Sequence, residues 1–129
     1  MTKKILFVDD ESSIISITEL FFKHQGYSYI IADSGEGAIV ALNNQKDNIG
    51  IIFLDLMMPG ISGFEVLEYM RDNNINIPTI IQSGLSDEAV VKQALDLGAV
   101  DFVTKPYTKH TLFKYLSQFI TASPDQTKL

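Results

Sequence analysis

A chain of 129 residues and 14.4 kDa has the size of one domain and can bury a core of its own. It contains no cysteine, which excludes a disulfide framework, a thiolate zinc site and a cysteine nucleophile. Ten Lys+Arg against sixteen Asp+Glu leave a net charge of −6, with Arg71 the only arginine, so a basic face for nucleic-acid phosphates is excluded as well.

The 46% hydrophobic and 20% charged fractions are those of a globular domain rather than a disordered one. The chain begins Met1-Thr2-Lys3-Lys4, and the apolar run that follows, Ile5-Leu6-Phe7-Val8, is of strand length and too short for a signal peptide. No run approaches the ~20 apolar residues of a membrane span, and a cytoplasmic location is the default expectation. Ile14, Ile17, Leu20 and Phe21 recur at helical spacing, and Gly26 is placed to end that helix. Tyr27 to Ala32 is a less uniformly apolar strand, expected at an edge, and it ends in Asp33. Ser34 is positioned to cap a helix marked by Ala38, Ala41 and Leu42.

Ile51-Ile52-Phe53-Leu54 reads as a strand buried on both faces. Ser62-Gly63-Phe64-Glu65 is a capping-box pattern ahead of Leu67 and Met70. Thr79-Ile80-Ile81 is the fourth strand, and Ser86 followed by Asp87 and Glu88 announces a helix that Gly98 stops. Val100 to Val103 is the fifth strand, and Leu112, Leu116 and Phe119 mark the last helix. A domain over residues 1–120 is expected. Residues 121–129, polar and containing Pro124, read as a tail or the start of a linker. Five βα units in series predict an α/β fold, an open doubly wound parallel sheet with helices on both faces. Ligands of such sheets sit outside the carboxyl ends of the strands.

The first polar residues after the strands are therefore the informative ones. They are Asp9-Asp10 after the first strand, Asp55 after the third, Ser83 (after Gln82) after the fourth and Lys105 (after Thr104) after the fifth. Four strands taken as central thus deliver carboxylates, a hydroxyl and an ammonium to one end of the sheet. Two like charges ~4 Å apart repel by about 4 kcal/mol at an effective dielectric of 20. Three carboxylates need a cationic answer. Lys105 supplies one charge, and a hard divalent cation with oxygen ligands, Mg²⁺ foremost, would supply the rest.

The residues Asp9-Asp10, Asp55-Leu56-Met57-Met58-Pro59-Gly60 with Gly63, Ser83-Gly84, and Gly98 through Lys105-Pro106 occur in one order, each set at a strand end. In this the chain resembles the receiver domain of a two-component response regulator, from about Lys3 to about Ile120. The resemblance implies a flavodoxin-like (βα)5 sheet in the order 2-1-3-4-5. It implies that Asp55 accepts a phosphoryl group from a histidine kinase or histidine phosphotransfer protein. It assigns Mg²⁺ to Asp9, Asp10, Asp55 and the carbonyl of Met57, phosphoryl contacts to Ser83 and Lys105, and a cis bond to Lys105-Pro106. Ser83 and Phe102 take the places of the switch, and a downstream protein or effector domain would receive the signal. The domain is then a switch that catalyses only its own phosphorylation and dephosphorylation, monomeric or dimerising on phosphorylation, with no nucleic-acid or membrane contact of its own.

Three further expectations come from the residues. His24 and His110 belong to helical surfaces and not to the site. Met57 and Leu85, both apolar, rim it and exclude hydrolytic water. Lys92, Lys109 and Lys114 with Tyr107 and Phe102 form an output face, where Asp101 and Lys109 are the only charges suited to pairing two copies. Among other functions, a flavin carrier needs a phosphate loop where this chain has Asp9-Asp10-Glu11. A phosphatase with an aspartyl nucleophile commonly has a second Asp two residues on, where this chain has Met57. A degenerate receiver acting only as a binding module is the remaining alternative, and the presence of all five site residues argues against it.

Overall fold

The structure, a computed structural model, describes residues 3–84 and 88–120. Its elements run β1 (Lys4–Val8), α1 (Ser12–Gln25), β2 (Tyr29–Ala32), α2 (Gly35–Gln45), a 3₁₀ turn (Lys46–Asn48), β3 (Ile49–Asp55), α3 (Gly63–Asp72), β4 (Thr79–Ser83), α4 (Glu88–Asp96), β5 (Asp101–Thr104) and α5 (Lys109–Phe119). The strands form one parallel sheet in the order β2-β1-β3-β4-β5, as the resemblance implied.

Local chemistry sets the helix ends where the sequence placed them. Gly26 takes a left-handed φ of 78° and its N–H returns to the carbonyls of Phe22 and Lys23, a conformation that a Cβ disfavours. The Ser34 side chain accepts from the N–H of Gly37, and Ser62 and Glu65 complete the reciprocal capping box. The helix start read at Ser86 and Asp87 lies outside the described residues, as do Leu85 and the tail 121–129.

The strand period of two divides the core. On one face, Leu6, Val8, Ile52, Leu54 and Ile81 pack with α2, α3 and α4 through residues such as Leu42, Val66 and Ala94. On the other, Ile5, Phe7, Ile51, Phe53 and Ile80 pack with Phe22 of α1 and with Leu112, Tyr115 and Leu116 of α5. Phe7 meets the edge of Phe22 at 5.9 Å, and Phe53 that of Tyr115 at 6.5 Å. Each such fully buried side chain contributes on the order of 1.5–3 kcal/mol.

Two expectations are corrected. The strand read as a fourth central one, β5, is the outer edge opposite β2. Its apolar run records packing above and below, Phe102 against one cluster and Val103 against the other, not a neighbour on each side. In α1 the residues turned inward are Thr18 and Phe22, while Ile17 and Leu20 are 60% and 68% exposed. Periodicity located that helix correctly, but only Ile14 and Phe21 of its apolar stripe pack against the core.

Candidate functional site

The alternation that builds the core also builds the site. Carrying the pattern Ile5, Phe7 one step past β1 brings up Asp9, and Ile51, Phe53 leads to Asp55. Ile80 leads to Gln82, and Val103 to Lys105. Four polar side chains thus continue one apolar face at the carboxyl ends of four strands. Ser83 and Phe102 belong to the opposite face, with Ile81 paired to Phe102 and Ser83 to Thr104 in the β4–β5 register.

Lys105 is the hub. Its ammonium lies 2.7 Å from Asp9 Oδ2, 3.1 Å from Asp55 Oδ2 and 3.4 Å from Glu11 Oε1. Asp9 is fully buried and Asp55 nearly so. The N–H groups of Glu11 and Met57 donate to Asp9 Oδ1 at 2.9 Å and to Asp55 Oδ1 at 3.1 Å. Burial pushes the Asp55 carboxyl above the ordinary range, against the pull of the Lys105 charge. Burial pulls Lys105 down, but its hydrogen bonds and proximity to Asp9 and Asp55 outweigh that and leave it above an ordinary lysine.

One oxygen from each of Asp9, Asp10 and Asp55 lies within 4.8 Å of the others. An all-oxygen donor set of this spacing, half-enclosed and rich in negative charge, fits a hard divalent cation of the Mg²⁺ class. Gly63 keeps the loop after β3 close to the strand. A Cβ there would stand 2.3 Å from the carbonyl oxygen of Asp55, so only glycine permits this approach.

The sequence-read residues divide between the two faces: four side chains meet at the site, while those of Ser83 and Phe102 belong to the opposite face. Asp9, Asp10, Asp55 and Lys105 converge, and Ser83 closes β4 fully buried, its carbonyl accepting from the Lys105 N–H at 2.7 Å. The Lys105–Pro106 bond is cis. Met57 is 57% exposed on the rim. Asp33, at the end of the edge strand, stays exposed and apart from the cluster, and His24 and His110 are exposed on helices. Two members were not singled out from sequence. Glu11 was visible as a third consecutive acid. Gln82 was visible as an amide inside an otherwise apolar strand.

A groove leads to the site. Ile14, Ile17 and Phe21 of α1 line it together with Pro106, Tyr107 and Leu112, and so does Asp55. Ile17, exposed on α1, belongs to this groove.

The family profile of the response regulator receiver domain matches residues 5–117. The chain belongs to this family. The receiver domain is 34% identical over 117 residues to the response regulator SaeR of Staphylococcus aureus, covering 91% of this chain and 50% of that protein. The chain therefore spans about half the length of the curated relatives it matches. Among solved structures it is similar to the receiver domain of the Francisella response regulator 1452, with a TM-score of 0.82 and 30% identity over 90% of this chain and 94% of the other. It is equally similar to a chain of the CheX–CheY–BeF3–Mg²⁺ complex of Borrelia burgdorferi, with a TM-score of 0.82 and 30% identity over 90% and 88%. Receiver domains of response regulators are signalling switches of two-component systems. Among the described residues no helix is long and apolar enough to cross a membrane.

On the face formed by α4, β5 and α5 the charges have partners within the chain. Asp101 is engaged within the chain, accepting from Tyr115 O–H at 2.7 Å and from the Phe102 N–H at 2.8 Å. Lys92 pairs with Asp96 at 3.0 Å, and Lys114 lies 5.4 Å from the centre of the Tyr115 ring.

Proposed function

We propose that this receiver domain, residues 1–120 followed by a tail or linker, is a cytoplasmic switch phosphorylated on Asp55. The observation that carries the reading is the convergence of two buried carboxylates, the exposed Asp10 and one lysine at the carboxyl ends of β1, β3 and β5. An Asp55 carboxylate oxygen attacks the phosphorus of a phosphohistidine on a kinase or phosphotransfer protein. The P–N bond breaks and the imidazole leaves with its electron pair, giving an acyl phosphate. Asp9, Asp10, Asp55 and the Met57 carbonyl would hold Mg²⁺. When bound, the ion supplies charge neutralisation and alignment for the transfer. Lys105 neutralises one phosphoryl oxygen and Ser83 donates to another. The relative solved with BeF3 and Mg²⁺ supports this assignment. The apolar groove between α1 and the start of α5 gives the donor protein a place to dock beside Asp55.

The test uses acetyl phosphate as a small donor. With Mg²⁺ it should add the mass of one phosphoryl group to the protein and none to Asp55→Ala. No addition, or equal addition to both, overturns the reading in favour of a binding module.

The signal then passes across the sheet. Phosphorylation adds charge and acceptor oxygens beside Ser83. Ser83 moves toward them, and Phe102, on the same face and half-buried, fills the space, shifting α4, β5 and α5 between two packings. A downstream protein or an effector domain reads that change. Phe102→Ala should take up phosphoryl groups at the parental rate, while amide chemical shifts along α4 and α5 no longer respond. If those shifts respond as in the parent, Phe102 has no part in the switch.

Met57, exposed on the rim, shields the acyl phosphate from water. Met57→Asn should hydrolyse it several-fold faster, read as phosphoprotein remaining after donor removal. An unchanged lifetime removes Met57 from that role.

A further inference from the structure

Gln82 is the least expected residue of the sheet. It sits in β4, all five of whose residues are buried, and is itself 0% exposed. A buried amide left without partners costs roughly as much as the loss of several buried methylenes, so its bonds define its role. Its Nε2 donates to the carbonyl of Val8 at 3.0 Å and makes a longer contact, 3.4 Å, with Asp9 Oδ2. The Tyr107 hydroxyl donates to its Oε1. The amide can face only one way. The Val8 carbonyl and the Asp9 carboxylate are acceptors, so the NH2 must point at them, which leaves the oxygen for Tyr107.

The reach of this side chain matters more than its bonds taken singly. β4 is not a neighbour of β1, because β3 lies between them. Gln82 spans β3 to hold both the last carbonyl of β1 and the carboxylate that follows it. Asp9 is then fixed at both oxygens, Oδ1 by the Glu11 N–H and Oδ2 by Gln82 and Lys105. Behind Gln82 stands Tyr107, two residues past Lys105 in the loop that enters α5. Burial, with Asp9 and Asp55 nearby, pushes its hydroxyl far above the ordinary range, so it remains a donor.

We propose that Gln82 is a positioning residue that orients the Asp9 carboxylate for a divalent cation, and that Tyr107 locks Gln82 in that orientation, linking the β5–α5 loop to metal binding. The inference rests on the assignment of Asp9 as a metal ligand. Partners that orient a ligating carboxylate commonly change metal affinity by 10–100-fold when removed. Gln82 holds Asp9 by one long contact, which places the effect at the lower end.

Mn²⁺ binding followed by electron paramagnetic resonance reads this directly, without phosphorylation. Gln82→Met keeps length and apolar volume but removes both donors and the acceptor. It should weaken Mn²⁺ binding roughly 10-fold. Its melting temperature in EDTA should fall, since the Val8 carbonyl and the Tyr107 hydroxyl each lose a partner, so Mn²⁺ binding is read at a temperature where the variant is folded. Tyr107→Phe removes only the hydroxyl and should weaken binding roughly threefold, the weight of one neutral hydrogen bond. In the Gln82→Met background Tyr107→Phe should have no further effect, because its partner is gone. Parental affinity in Gln82→Met, or additive effects in the double variant, overturns the proposal. If Gln82→Met fails to fold, Tyr107→Phe decides alone: unchanged Mn²⁺ affinity overturns the lock and the link with it. Asp9→Asn separates the two levels. A parent that binds no Mn²⁺, or an Asp9→Asn variant that binds it equally well, brings down the metal assignment itself and this inference with it.

Discussion

Asp55→Asn is expected to abolish phosphoryl uptake from acetyl phosphate and, at the same time, to raise the melting temperature of the metal-free protein. The two effects have one cause. Asp55 is buried at the end of β3, within reach of the Asp9 and Asp10 carboxylates, and burial holds its pKa above the ordinary carboxylate value although Lys105 lies 3.1 Å away. A raised folded-state pKa means that the folded protein binds this proton more tightly than the unfolded chain does. The ionised group therefore costs stability above its folded pKa, and the cost disappears as the pH falls through that value. Asparagine keeps the shape without the charge. In EDTA near pH 8 the variant should melt above the parent, and the gain should shrink in acid. A lower melting temperature would show that the ion pair with Lys105 outweighs the cost of burial. Retained phosphoryl uptake would move the acceptor elsewhere.

Lys105→Met is expected to have the largest effect on stability. It removes the cation shared by Asp9, Asp55 and Glu11 and, among the described residues, leaves two buried carboxylates without a paired counter-charge. Breaking a buried pair from one side typically costs about 3–5 kcal/mol. The lower figure applies here because Asp9 and Asp55 keep their backbone donors, which makes the expected loss roughly 12 °C in EDTA at neutral pH. Without the lysine the Asp55 pKa, already raised by burial, loses the charge that pulls it down and rises further, so the deficit should narrow as the pH falls and Asp55 takes up a proton. The parent shows the complementary behaviour at the alkaline end. Its Lys105 pKa is raised, so the stabilisation is complete below the ordinary lysine value of about 10.5 and is lost as the pH rises through the folded value. Mg²⁺ should restore more stability to the variant than it adds to the parent, because a dication answers the same carboxylates. Equal stabilisation of both by Mg²⁺ would show that the lysine and the cation act on separate groups. Melting curves in EDTA and in Mg²⁺ at several pH values check all of these signs.

The two variants bear on one arrangement, a small charged cluster seated on an apolar sheet face. The ends of the strands were legible because a strand repeats every two residues, and an aspartate following Phe7 or Phe53 stands out against that repeat. Gln82 obeys the same repeat after Ile80, yet sequence reading passed over it as the residue before Ser83. An isolated amide carries no charge pattern, and its meaning depends on the Val8 carbonyl two strands away. Glu11 was visible as an acid but not as a partner of Lys105, since 94 residues separate them. Asp101 was visible as a charge on the output face but not as the acceptor of the Tyr115 hydroxyl, since the contact joins a strand to the following helix.

The sequence by itself determined the βα alternation, the caps at Gly26, Ser34 and Ser62, and the residues offered at the strand ends. Each depends on chemistry within a few positions of the chain: side-chain period, a left-handed glycine, a hydroxyl three residues before a free N–H. The tertiary structure alone decided the outward turn of Ile17 and Leu20, the hold of Tyr115 on Asp101, and the span of Gln82 across β3. These depend on which strand lies beside which and on which face of a helix meets the sheet. A local pattern is compatible with more than one such packing, and the choice is made by the summed burial of the whole core.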